Sequence, residues 1–268
     1  MGKLAYLEIA KSGYRLVYYN WQSMVRLGLI PFAVILAVAL LNAILSQAVM
    51  SSASGGNAGA AAGLGFLTLL LNLVSMAAIV PFLVAWHRFT FEVAASRIPA
   101  VTLAVTKTEF VYFGYLIALG IAMGILYAIG GAILGLIIGP LLLAGGHIGA
   151  VFFGLILTLV VLPGVLYLTM RVAFVFPEIA LGRKTDPMQS WRQTAQHHVE
   201  LWLMALVVIL PMVVAGIVLG AIGVVLAFIP VLGVVFTIVL NLLTMAIYIA
   251  FLAAFTSALS LAYKQIVD

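Results

Sequence analysis

The chain of 268 residues contains no cysteine, and only 7% of its residues are charged. The first absence excludes a disulfide framework, a thiol nucleophile and a thiolate metal site. The second excludes an ordinary soluble surface, on which roughly a quarter of residues would be charged. Catalytic signatures are missing too: no His-Glu-x-x-His, no Gly-x-Ser-x-Gly and no phosphate loop ending in Lys-Ser/Thr. The nearest thing to a metal cluster is His197, His198 and Glu200. Adjacent histidines point to different sides of a helix, so His197 with Glu200 is at most half a ligand set. We expect neither an enzyme nor a cofactor.

What the chain has is apolar length. Hydrophobic residues make up 66% of it, and six continuous runs, at about 26–48, 64–86, 110–138, 148–172, 201–227 and 231–260, are each long enough to cross a hydrocarbon core of about 30 Å. Continuous rather than alternating apolarity predicts helices and not a barrel, because a helix satisfies its own backbone groups in lipid. The fold class is an all-α integral membrane protein with six spans in a single membrane domain.

Internal similarity organises those spans. Residues Leu71 to Ala85 and Leu240 to Ala254 match at eight of fifteen positions, Asn72 aligning with Asn241. Glu8-Ile-Ala, Glu92-Val-Ala and Glu178-Ile-Ala divide the interval nearly in half. The chain therefore reads as three tandem, pseudo-threefold copies of one hairpin, residues 1–87, 88–170 and 171–268. Each copy is expected to open with an amphipathic helix at the membrane surface. In the first, Leu4, Leu7, Lys11, Tyr14, Tyr18 and Trp21 form the stripe. In the third, Asp186 caps, Pro187 takes the first helical position, and Met188, Trp191, Ala195, Val199 and Trp202 form the apolar side. The second, with Ile98-Pro99, Val101, Val105, Phe110 and Tyr112, is weaker.

Charge placement sets the expected orientation. Every Lys, Arg, Asp and Glu lies at the N-terminus or in 88–109, 171–200 or 264–268, which are all on one side, and the loops near 49–63, 138–147 and 228–230 carry no formal charge. By the positive-inside rule both termini face the cytoplasm. His147 is the titratable side chain of the opposite loops and reads as incidental. A cleavable leader is not expected, because charged residues interrupt the first 25 positions and a full-length span follows. The net charge of +5 fits insertion topology, not nucleic acid. Lys11, Arg15, Arg183, Lys184 and Arg192 are the candidate contacts to anionic lipid headgroups, together with Lys3, Arg97 and Lys107.

Within the spans, Asn72 and Asn241 are the candidate polar site, since hydrocarbon cannot satisfy an amide and each must meet another helix, a water or a ligand. Asn42 lies closer to a span end and carries less weight; Gly154 occupies the equivalent position in the middle repeat. Gly120 and Gly124, Gly131, Gly135 and Gly139, and Gly216 and Gly220 have the four-residue spacing that lets helices approach closely. Arg88 and Glu92, four apart, are expected to pair along their helix. No acidic or basic residue falls near a midplane, which argues against coupled ion transport.

The segment from Asp186-Pro187 through Trp191-Arg192 to Leu201-Trp202, followed by two spans and the ending Thr256 to Lys264, resembles the repeat unit of YciC-like bacterial inner-membrane proteins. The same unit is similar to the membrane domain attached to some glycerophosphodiester phosphodiesterases. The resemblance is best over 171–268. It implies a helical bundle in a bacterial cytoplasmic membrane. From the basic residues and the glycine faces themselves, the expected partners are membrane lipids and either a partner membrane protein or a homo-oligomer. The phosphodiesterase chemistry belongs to an appended soluble domain, and no catalytic residue carries over.

Overall fold

A computed structural model describes residues 4–92, 106–143, 146–226 and 230–267. The expected second surface segment at 98–105, Arg97 and Lys3 lie outside these residues, as does the side chain of His147. The described chain is helical throughout: α1 (Tyr6–Tyr19), α2 (Trp21–Ser54), α3 (Ala58–Glu92), α4 (Lys107–Leu143), α5 (Gly146–Val172), α6 (Val175–Ala180), α7 (Pro187–Gln193), a 3-10 turn (Thr194–Gln196), α8 (His198–Leu226) and α9 (Pro230–Val267). Six of these helical stretches are long and apolar enough to cross a membrane, at the six places expected. The chain is a multi-pass membrane protein.

The spans pack first as antiparallel neighbours, α2 on α3, α4 on α5 and α8 on α9. The turn between α2 and α3 shows why. Gly56, at φ 74°, takes the left-handed conformation that a side chain resists, and Asn57 Oδ1 accepts the Ala60 N–H at 3.1 Å to start α3. Pro31, Pro81, Pro163 and Pro211 all lie inside continuous helices. Helix α4 meets α5 through glycine: a Cβ on Gly130 would lie 2.8 Å from Val161 Cγ1, and one on Gly131 would lie 3.4 Å from Leu157. By contrast, Gly120, Gly124, Gly139, Gly216 and Gly220 have nothing within 4 Å of a Cβ among the described residues, so the expected close contacts at those positions are not made with them.

The core sits at one end of the bundle, the end that carries the charges. Val80, Phe82, Val84 and Trp86 of α3, Met170 of α5, Phe174 just beyond it, Leu201 and Met204 of α8, and Ala254, Ala258 and Ala262 of α9 are all buried there. Toward the uncharged end the same helices expose Ile44, Phe66, Ile125, Leu136 and Ile217. The hairpins converge at one end and part at the other.

Helix α1 belongs to the converged end. Ile9, Ala10, Gly13 and Val17 face inward, and a Cβ on Gly13 would stand 2.7 Å from the backbone oxygen of Ala254. The stripe expected at the membrane surface is a different face of the helix. Leu4 is buried and Tyr14 half-buried, but Leu7, Lys11, Tyr18 and Trp21 are exposed. Small residues win the inward face because only they let α1 and α9 approach to backbone contact.

Candidate functional site

Two polar assemblies stand out, one at the charged end of α3 and one near its middle. At the charged end, side chains on different helices bind one another or a neighbour's backbone. Trp86, 0% exposed, places its indole nitrogen 2.8 Å from both Ala253 O and Ser257 Oγ of α9. Ser260 Oγ donates to Thr256 O at 2.9 Å. The serine oxygen then accepts from His87 Nδ1 at 2.7 Å, and His87 Nε2 accepts the Tyr112 hydroxyl at 3.3 Å. That order uses each proton once and assigns the tautomer. Tyr14 donates to Val208 O of α8 at 2.6 Å, and burial pushes its hydroxyl above the ordinary phenol range. Trp202 of α8 donates to Pro163 O of α5 at 3.0 Å.

Arginines at this end serve backbone carbonyls. Arg88 Nε donates to Ala180 O at 2.7 Å, at the end of α6, which corrects the expected Arg88–Glu92 pairing along α3. A carbonyl at a helix C-terminus lacks an intrahelical donor, and a guanidinium supplies one. Arg171 donates to Trp191 O at 2.8 Å and lies over the Trp191 ring, 4.3 Å from its centroid. Ser190 and Thr194 hydroxyls lie 3.3 and 3.0 Å from Arg171 O, closing the end of α5. Asp186 and Pro187 start α7 as expected, with Asp186 Oδ1 accepting from Met188 N at 2.9 Å. The helix is seven residues long and a 3-10 turn separates it from α8. Its buried side is the polar one, Ser190 and Thr194, while Met188, Trp191, Ala195 and Val199 are exposed.

The five headgroup candidates are all exposed. Lys11 forms an ion pair with Glu8 at 2.9 Å; this hydrogen bond holds the Glu8 carboxyl below the ordinary carboxylate range. Arg183 donates to the Tyr263 hydroxyl at 2.9 Å. Arg15, Lys184 and Arg192 extend from α1, the segment after α6, and α7. The three Glu-x-Ala echoes are not equivalent in environment: Glu8 and Glu92 are exposed and Glu178 is 2% exposed.

The second assembly lies inside the membrane-spanning part. Asn42 Nδ2 of α2 donates to Asn72 Oδ1 of α3 at 3.0 Å, and Asn42 Oδ1 is buried with no hydrogen-bond partner. Both amides line a cavity of 480 Å³ shared by α2, α3, α4 and α9, whose walls include Val38, Ile79, Leu83, Leu116, Tyr248 and Leu252. Asn72 is thus brought to a site and Asn241 is not among the residues lining it. Asn241 stands seven residues before Tyr248, about 10 Å along α9. The sequence argument undervalued Asn42. Its signal was symmetry: Asn42 and Asn72 are each fifteen residues from Asn57, the turn residue, so a hairpin folded there sets them at one depth.

A bundle of six membrane-crossing helices, knit at its charged end and carrying a polar pair between two of its helices, defines the class: a polytopic helical membrane protein. No family model, no curated protein and no solved structure matches the chain.

Proposed function

We propose that the protein is a noncatalytic scaffold or accessory subunit of a bacterial cytoplasmic membrane, N- and C-termini cytoplasmic, that organises lipid or a partner membrane protein. One observation carries this reading: the chain encloses its core at the charged end and leaves the opposite halves of its spans with large apolar side chains uncovered. Surface of that kind is complementary to hydrocarbon, either lipid or the flank of another spanning protein. The exposed Tyr18 and Tyr19, at 75% and 76%, and the exposed Trp21 and Trp191 suit the headgroup level. Lys11, Arg15, Arg183, Lys184 and Arg192 are the contacts to anionic headgroups. The three hairpins are three copies of one unit, and kinship with YciC-like inner-membrane proteins accords with this role.

The cavity at Asn42 and Asn72 favours a second reading, a channel or carrier for a small neutral or lipidic solute. Native mass spectrometry of gently extracted protein separates the two. A stoichiometric protein partner or a shell of anionic lipid is the result expected of a scaffold. A solitary particle holding one defined small molecule is the result expected of a carrier, and would overturn the scaffold.

A further inference from the structure

The cavity between α2, α3, α4 and α9 has a direction, and from it we infer a binding site for a neutral amphiphile bearing a free hydroxyl, of the long-chain alcohol class. The inference deepens the lipidic-solute reading and rests on it.

The polar end comes first. One hydrogen bond joins Asn42 to Asn72, yet two amides offer two carbonyls and four N–H groups. The pair therefore leaves a carbonyl, Asn42 Oδ1, buried and unpartnered, with amide N–H groups beside it. A group that both donates and accepts completes this arrangement. A hydroxyl does so with one atom, accepting from the Asn72 amide and donating to Asn42 Oδ1 once the Asn42 side chain turns that buried oxygen toward the cavity. An ether or ester oxygen only accepts, and leaves the carbonyl unmet. Ser75 and Tyr248, which also line the cavity, add hydroxyls to the same wall.

Charge and depth narrow the class. Residues 27–87 include no Lys, Arg, Asp or Glu, so nothing in α2 beyond Arg26 or in α3 before Arg88 neutralises a charged head. Asn42 lies sixteen residues from Arg26, and Asn72 sixteen from Arg88; each interval is about 24 Å of helix. With the basic residues at one face of a hydrocarbon core of about 30 Å, the amides lie about 6 Å inside the other face. That is within reach of the polar end of an amphiphile in the uncharged-side leaflet.

The apolar end completes the fit. From Asn72 to Leu83 the wall runs eleven residues along α3, about 16 Å toward the charged end. Ile79, Leu83, Leu116 and Leu252 line it without a charge. A volume of 480 Å³ lies within the roughly 300 to 1,000 Å³ of small-ligand sites, and its elongated apolar part suits one hydrocarbon chain. The hydroxyl meets the Asn pair and the chain descends toward Leu83.

The test uses the full chain in nanodiscs and two photoreactive probes, a diazirine-bearing hexadecanol and its O-methyl ether, with labelled peptides mapped by mass spectrometry. The alcohol is expected to label the segments around Val38, Ile79 and Leu252 about 3- to 20-fold more than the ether, the range for a lost intramembrane hydrogen bond. In Asn42→Leu that advantage is expected to vanish while ether labelling is retained. Equal labelling by the two probes in the unmodified protein overturns the hydroxyl site and leaves the lipid-organising and carrier readings to native mass spectrometry. Absence of labelling by both overturns it as well. The comparison in the unmodified protein decides the matter even where Asn42→Leu fails to fold.

Discussion

The charged end of the bundle and the uncharged end are built from the same helices with the same apolar content, and they differ in what joins one helix to another. At the charged end, indole, hydroxyl, imidazole and guanidinium groups bind across helices, and glycine and alanine let backbones touch. Toward the other end the helices expose isoleucine and leucine, and Gly216 and Gly220 of α8 have open space before them. Apolar residues gain little from leaving lipid for one another, because the lipid tails are as apolar as they are. Polar links and close backbone approach therefore decide where a membrane bundle closes. The contrast teaches that hydropathy positions helices in the membrane and the sparse polar residues position them against each other.

Breaking the closed end should cost most. Trp86→Ala removes a fully enclosed ring and both of its hydrogen bonds to α9, and we expect a loss of about 3 to 5 kcal/mol in reversible unfolding in mild detergent. Gly13→Leu forces a side chain onto the Ala254 carbonyl and should cost about 1 to 3 kcal/mol. The matched change in the open half, Gly216→Leu, meets no atom within 4 Å and should shift stability by less than about 0.5 kcal/mol. Equal effects at Gly13 and Gly216 would erase the distinction between the two ends.

Asn72→Leu probes the Asn42–Asn72 link in the open half and should cost about 0.6 to 2 kcal/mol, by stranding Asn42. Asn241→Leu leaves the Asn42–Asn72 pair in place and should leave probe labelling of the cavity unchanged. The smallest effect is expected at Lys11, whose partner Glu8 is exposed. In NMR titration the Glu8 carboxyl should lose its proton below the ordinary carboxylate range, and Lys11→Ala should move that midpoint up. A lowered folded-state pKa stabilises above the unfolded carboxylate range, and that contribution is lost as pH falls through the lowered value. Solvent screening keeps it small here.

Much of the fold was legible because the spans announce themselves by length: each of the six expected runs falls on a long helix, and most of these helices extend a few residues beyond the apolar stretch. The start of α7 was legible from Asp186 and Pro187, since capping chemistry is local. The closed end was not. Trp86 and Ser257 stand 171 residues apart in the chain, and nothing in either neighbourhood names the other. The inward face of α1 was not legible, because large apolar residues stand out in a sequence, whereas in a lipid-embedded bundle small residues such as Ala10 and Gly13 mark the contact. The buried side of α7 was not legible for a related reason: Ser190 and Thr194 turn inward to close the end of α5, a demand set by another helix. At the polar site, Asn72 was visible as an amide in hydrocarbon, while its partner required folding the hairpin about Asn57.

The central claim, that the spans close at the charged end and part at the other, is best tested by single-cysteine spin labelling, for which a chain without native cysteine is suited. Labels at Ile44, Ile125 and Ile217 would be compared in nanodiscs with labels at Val84, Met204 and Ala258, reading relaxation by dissolved oxygen, which concentrates in hydrocarbon. The account predicts high oxygen accessibility at the first three, where Ile217 is 67% exposed, and protection at the second three, where Met204 and Ala258 are 0% exposed. Comparable protection at both sets would contradict it.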